Sequence, residues 1–225
     1  MKIYRIPQNL KTILFDIDGT LYTNNAWVLE QVDIQIRHYA HVNGISEDAA
    51  REKIRNFRKQ WAAEHGGKKI SLGNTFVHLG VSVKTSVEWR SMLLEPSRYL
   101  KPDPKLRVEL EALRKKYHLT CVTNNSILAA QKTLEAIGVE DILTDIIGLD
   151  SCWKSKPDKA ILDLAVEHGG CSYDECISIG DRFDIDLDMP LSLGMGAILV
   201  DGVEDIYGLH SILEDPAMAT SAKSF

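Results

Sequence analysis

Polar and apolar positions follow two different rhythms along this chain. Between residues 23 and 96 the apolar positions recur at helical spacing, and no stretch alternates as a half-buried strand would. Trp27 to Asn43 shows that period. The next stretch, from Ser46 to Glu64, adds end signals: Ser46 as N-cap, acids in the first turn, and Gly66-Gly67 beyond the last turn. Residues 84–94 read as a further helix. Elsewhere the rhythm alternates. Short apolar runs at 11–18, 119–123, 145–149, 176–180 and 196–200 read as strands. Helical stretches at 104–117, 126–137, 158–168 and 184–194 separate the later ones.

Strands alternating with helices predict a parallel sheet covered on both faces, an α/β class with a Rossmann-like three-layer α/β/α core. The all-helical block interrupts that core after its first strand, and the proline-bearing stretch EPSRYLKPDP closes the interruption. The expected organisation is therefore a catalytic core of residues 1–22 and 97–225, with a small helical cap of residues 23–96 inserted after strand 1. The tail EDPAMATSAKSF reads as loose.

Composition narrows the picture. A chain of 225 residues, 44% hydrophobic and 26% charged, is that of an ordinary globular protein. A net charge of −6 argues against a broad surface for a nucleic acid polymer or an acidic membrane. The opening MKIYRIPQNL lacks a long apolar run, and no later run spans a bilayer, so a cytoplasmic location is expected and no membrane partner. Four scattered cysteines, Cys121, Cys152, Cys171 and Cys176, form no C-x-x-C pair and are expected as thiols.

The chemistry concentrates just past the strands, where open α/β sheets bind ligands. KTILFDIDGTLY ends an apolar run with two carboxylates, Asp16 and Asp18. After the run at 119–123 come Thr123, Asn124 and Asn125. Lys154-Ser155-Lys156-Pro157 precedes a helix, and Gly180-Asp181 opens a segment that also holds Arg182, Asp184, Asp186 and Asp188. Any one of these has an ordinary structural explanation as a cap, turn or surface residue. Together they would gather carboxylates that repel unless a cation joins them. All-oxygen donors suit a hard cation, most simply Mg²⁺. A lysine and a hydroxyl-amide pair beside it could receive an anion, which points to phosphoryl transfer.

FDIDGTLY, VTNN, KSKPD and IGDRFDID stand in the order and approximate spacing of the four motifs of the haloacid dehalogenase-like superfamily, which this chain resembles over residues 11–200. The resemblance implies Asp16 as nucleophile and Asp18 as general acid/base, with the Asp18 backbone carbonyl also on the metal. It implies Thr123 and the Asn124 backbone as donors to the phosphoryl group, and Lys156 as the charge-neutralising lysine, with Lys154 as the alternative. Asp181 would be a metal ligand with Asp186 as its acidic partner, ahead of Asp184. An acid at position 18 favours phosphatases and phosphomutases of the superfamily over its dehalogenases.

The expected activity is Mg²⁺-dependent hydrolysis of a small phosphorylated metabolite through an aspartyl-phosphate. A sugar phosphomutase, a nucleotidase acting on nucleoside monophosphates, and a non-catalytic binding protein on the same scaffold are the alternatives. The segment YLKPDPKLRVELEAL resembles the pyrimidine nucleotidase branch and GDRFDID the phosphoglycolate phosphatase branch. Cap selectivity is not legible. Trp27, Trp61 and Trp89 are expected as cap core or as a pocket wall, and Lys68 and Lys69 as solvated or substrate-facing. The sequence is compatible with a monomer or a homodimer.

Overall fold

The strand that carries the paired acids is the middle of the sheet. In the computed structural model, which describes residues 1–67 and 69–214, β1 (Lys2–Arg5) and β2 (Thr12–Phe15) come first. Lys68 and the tail from residue 215 onward lie outside the described residues. β2 is flanked in parallel register by β3 (His118–Val122) on one side and by β5 (Cys176–Gly180) on the other. Ile13, Leu14 and Phe15 are buried on both faces, as a central parallel strand requires. With β4 (Asp145–Ile147) and β6 (Gly196–Leu199) the order across the sheet is β1-β6-β5-β2-β3-β4. The α/β class and the Rossmann-like parallel core expected from the sequence are what the chain forms.

Two compact units make up the chain. One joins Met1–Asn24 to the chain from Pro96 onward; the other is Asn25–Glu95. The second unit is entirely helical: α1 (Asn25–Val42), α2 (Glu47–Glu64), α3 (Leu72–His78) and α4 (Val83–Leu93). Ser46 caps α2, its hydroxyl accepting from the Ala49 N–H at 3.2 Å. Ile36, Tyr39, Ala50, Ile54, Phe76 and Trp89 form the core of this unit. Trp27 is buried as well, whereas Trp61 is half-buried and stacks face to face on His65 at 3.7 Å. α3 is not foreseen in the sequence. Ser71 caps it inside a stretch whose glycines and lysines read as loop.

In the first unit α5 (Pro104–Leu113) starts on an Asp103 cap with Pro104 in its first turn, and α6 (Ile127–Ile137) runs from a Ser126 cap to Gly138 in the left-handed conformation. α7 (Leu149–Cys152) and α8 (Lys159–Gly169) follow, then α9 (Asp188–Ser192) and α10 (Leu209–Glu214). Three sequence expectations change. The run at 145–149 stops being a strand at Ile147, because the Leu149 N–H turns to bond the Asn125 carbonyl at 2.8 Å and opens α7 instead. The helix expected at 184–194 is split: a π-helical turn occupies Phe183–Leu187 before α9 begins. The helix expected at 104–117 ends at Leu113. The antiparallel edge strand β1 went unseen because KIYR is short and polar at both ends. Among the described residues, no helix is long and apolar enough to cross a membrane.

Candidate active site

Asp16 follows the last residue of β2, and its backbone N–H continues the strand by bonding the Ile179 carbonyl at 2.9 Å. Its carboxylate is therefore held by the most rigid part of the sheet. Oδ1 takes an ion pair from Lys156 Nζ at 2.6 Å, and Oδ2 accepts from the Thr20 hydroxyl at 3.3 Å. Lys156 is buried, and its Nζ also lies 2.7 Å from Asp186 Oδ1. One ammonium group thus bridges the buried Asp186 carboxylate and the nearly buried Asp16 carboxylate. Asp181 completes the group: ligand oxygens from Asp16, Asp181 and Asp186 lie within 4.8 Å of one another.

Local backbone chemistry explains why these acids converge. Gly19 takes φ +84°, open to glycine, and a Cβ there would stand 2.6 Å from Asp181 Oδ2. At Gly180 a Cβ would stand 2.4 Å from Asp186 Cβ. The π-helical turn after β5 brings Asp186 back over that strand. Its Oδ2 accepts from the Arg182 N–H at 3.1 Å and its carbonyl accepts from the Ser178 hydroxyl at 2.8 Å. Such widened turns recur at functional sites. Asp184, on the same turn, stays outside with its side chain 77% exposed, beside Arg182 at 3.8 Å. Lys154 likewise stays outside, 59% exposed and 4.0 Å from Asp158. Of each pair the sequence left open, the structure brings Asp186 and Lys156 to the cluster.

Asp18 points elsewhere. Its Oδ1 accepts from the Tyr22 hydroxyl and its Oδ2 from the Asn125 side-chain amide at 2.8 Å. Its carboxylate is thus oriented apart from the lysine-bridged acids, two residues along the chain from Asp16. Thr123 is buried, with its hydroxyl accepting from the Asn125 N–H at 3.1 Å. Asn124 uses its side chain to clamp the lysine loop: Oδ1 accepts from the Lys156 N–H at 2.6 Å, and Nδ2 donates to the Lys156 carbonyl at 3.3 Å. Sequence reasoning placed Asn125 and Tyr22 in the right motifs without assigning them work. The signal was there, since two adjacent amides after a strand and a tyrosine four residues past an acid are both able to reach it.

The electrostatics of the cluster follow from burial. Desolvation pushes the Asp16 carboxyl up, the Lys156 ammonium pulls it back, and Asp186 and Asp18 raise it again, to about 8. Burial and then Asp186 lift Asp181 to about 6, against Arg182. Burial would lower the Lys156 ammonium, but Asp16 and Asp186 together hold it above its ordinary value. Three carboxylates against one ammonium leave the group short of positive charge. All-oxygen donors at this separation fit a hard divalent cation such as Mg²⁺. A rigid carboxylate, a bridging ammonium and a separately oriented second carboxylate provide the parts for nucleophilic displacement with acid/base assistance.

Known proteins share this arrangement of sequence and fold. The family model of haloacid dehalogenase-like hydrolases matches residues 10–194. A glyceraldehyde 3-phosphate phosphatase of Methanothermobacter thermautotrophicus is 24% identical over 207 residues, covering 85% of this chain and 86% of that protein. A protein of the same name from Methanopyrus kandleri is 22% identical over 183 residues, covering 79% of this chain and 78% of its own. Among solved structures, a HAD phosphatase from Thermococcus onnurineus superposes with a TM-score of 0.57 at 25% identity, covering 85% of this chain and 86% of its own.

Proposed function

The chain belongs to the haloacid dehalogenase-like hydrolase family, and we propose that it is a Mg²⁺-dependent phosphatase acting on a small phosphorylated metabolite through an aspartyl-phosphate. The observation that carries this reading is the placement of Lys156 Nζ between Asp16 and Asp186, with Asp181 in reach of both acids.

Asp16, Asp181 and Asp186 would hold the metal, with the backbone carbonyl of Asp18 as the family resemblance implies. When bound, Mg²⁺ supplies the positive charge the cluster lacks and neutralises phosphoryl oxygens. The Asp16 carboxylate attacks phosphorus, and the bond to the leaving oxygen breaks. Lys156 pulls Asp16 towards its ionised form against the effect of burial, and offsets charge on the transferring group. Asp18, oriented by Asn125 and Tyr22, gives its proton to the leaving oxygen. As a carboxylate it then takes a proton from the water that hydrolyses the aspartyl-phosphate, releasing phosphate and freeing Asp16. Thr123 and the backbone of Asn124 would donate to phosphoryl oxygens, as the family resemblance implies, and the Asn124 side chain keeps Lys156 in register.

The names of the two archaeal relatives support a triose phosphate as the first ester to try, with phosphoglycolate and nucleoside monophosphates beside it. The test is phosphate release from p-nitrophenyl phosphate and that panel, with and without Mg²⁺, for the wild type and Asp16→Asn. Release that requires both metal and Asp16 is the expected result. No release from any ester, with Mg²⁺ bound, would overturn hydrolysis; transfer between sugar hydroxyls from a bisphosphate primer would replace it with mutase activity.

A further inference from the structure

Away from the acidic cluster, a pair of thiols sits at the start of β5, Cys176 as its first residue and Cys171 five residues earlier in the chain. Cys171 and Cys176 are both free thiols, and their sulfurs lie 2.9 Å apart. A disulfide bond is ~2.05 Å long, so closure needs less than about 1 Å of sulfur movement. That closeness is built in by a short, internally bonded turn. Between the two cysteines runs a 3₁₀ turn, Tyr173–Glu175. The Ser172 N–H donates to the Glu175 carboxylate at 3.1 Å, and the Glu175 N–H donates to the Ser172 carbonyl at 3.1 Å. Cys171 Sγ rests 3.3 Å from the Thr12 hydroxyl and Cys176 Sγ 3.4 Å from the Ser172 carbonyl.

The two thiols differ in access. Cys171 is partly exposed, whereas Cys176 is the buried first residue of β5. Burial and the neighbouring Cys171 push the Cys176 thiol up, so it is not the group that reacts first. The remaining thiols have no such partner nearby in sequence: Cys121 is buried within β3, and Cys152 ends α7 with its sulfur 3.8 Å from the Lys154 carbonyl.

We propose that Cys171 and Cys176 are a modification site, a dithiol that small-molecule disulfides of the glutathione class oxidise reversibly to an intrachain disulfide. The Cys171 thiolate attacks one sulfur of the oxidant disulfide, forming a mixed disulfide and expelling one thiolate. Cys176 then loses its proton to solvent and attacks the Cys171 sulfur, forming the protein disulfide and expelling the second thiolate. The chain gives up two electrons and two protons, and the oxidant leaves as two thiols. The new bond ties the segment after α8 to the start of β5, far along that strand from Asp181. It ties down the amino-terminal end of an interior strand, at the end away from the acids, so it does not depend on the phosphatase reading.

The test treats the native protein with glutathione disulfide, alkylates the remaining thiols in denaturant and maps the peptides by mass, with melting followed in parallel. The expected result is loss of two of the four thiols, a crosslink within residues 171–176, and a rise in Tm that dithiothreitol reverses. Cys171→Ser, at the partly exposed position, abolishes both the crosslink and the rise, as does Cys176→Ser. Four alkylatable thiols after treatment would overturn the proposal. So would glutathione retained on Cys171 without closure, or a crosslink formed only in unfolded chain.

Discussion

Replacing Gly180 with alanine asks whether Asp186 must stand where it does. The added methyl would lie 2.4 Å from Asp186 Cβ and 2.7 Å from its Cγ, where ordinary contact starts at about 3.4 Å. The strand has little room to recoil, because Gly180 is in register with Leu199 and its carbonyl accepts from the Val200 N–H at 3.0 Å. Asp186 therefore has to retreat by about 1 Å. That movement strains both of its side-chain contacts, Lys156 Nζ at 2.7 Å and the Arg182 N–H at 3.1 Å. A displacement of this size in a catalytic constellation costs on the order of 10²-fold in rate. The overpacking itself costs ~1–3 kcal/mol, which a folded domain of this size tolerates.

The assay is kcat/KM for p-nitrophenyl phosphate at saturating Mg²⁺, with circular dichroism for folding and a Mg²⁺ titration read by Tm. The expected outcome is a folded variant with kcat/KM lowered on the order of 10²-fold and a weaker response to Mg²⁺. Unchanged kcat/KM in a folded Gly180→Ala chain would refute the reasoning, because it would show that the position of Asp186 does not matter to turnover.

Other perturbations separate the roles of the remaining groups. Asn125→Ala removes a hydrogen bond to Asp18 and lowers kcat by about 10- to 150-fold, from the ~1.5–3 kcal/mol that a bond to a charged group contributes, while the Mg²⁺ titration midpoint stays put. Lys156→Met leaves Asp16 and Asp186 facing each other without their cation; it abolishes turnover and lowers metal-free Tm, yet tightens Mg²⁺ binding, and weaker binding by calorimetry would contradict the charge argument. With the Asp181 carboxyl held up to about 6 by burial and Asp186, its protonated form is the one the metal-free fold favours. Its contribution to metal-free stability is therefore fullest below its unfolded value and lost as pH rises through about 6. Mg²⁺ needs the carboxylate, so the Tm increment from Mg²⁺ grows between roughly pH 5 and pH 8; equal increments across that range by differential scanning fluorimetry would count against a metal at these acids.

What the sequence revealed and what it hid divide along physical lines. Buried central strands announce themselves as unbroken apolar runs, so β2 and β5 were legible, and with them the strand ends where Asp16 and Asp181 stand. Ser46 marked a helix start because a hydroxyl before an apolar period has one obvious partner. Edge and turn geometry left weaker traces. β1 is short and polar because one side of it meets solvent, and α3 begins only three residues after two glycines and two lysines. The π-helical turn is invisible to a 3.6-residue period, yet it carries Asp186 inward and leaves Asp184 outside. The family resemblance favoured Lys156 over Lys154, but the contact that holds it was not legible: the Asn124 side chain grips both backbone groups of Lys156 across 32 residues of sequence.

The cluster also carries a built-in conflict that gives its parts their order of action. On the proposed mechanism Asp16 would attack phosphorus as a carboxylate, but burial with Asp186 and Asp18 nearby drives it towards the protonated form. Lys156 opposes that drive, and because it is shared with Asp186 it cannot neutralise both acids at once. Before a metal binds, three carboxylates face one ammonium and the shortage of positive charge is at its greatest. A metal that makes up the shortage would hold Asp16 ionised and attract the anionic phosphoryl group with the same charge. The same reasoning gives Asp18 its separate anchorage. Its carboxylate is held by Asn125 and Tyr22, so on the proposed mechanism it would gain and lose a proton without breaking the Lys156 bridge between Asp16 and Asp186.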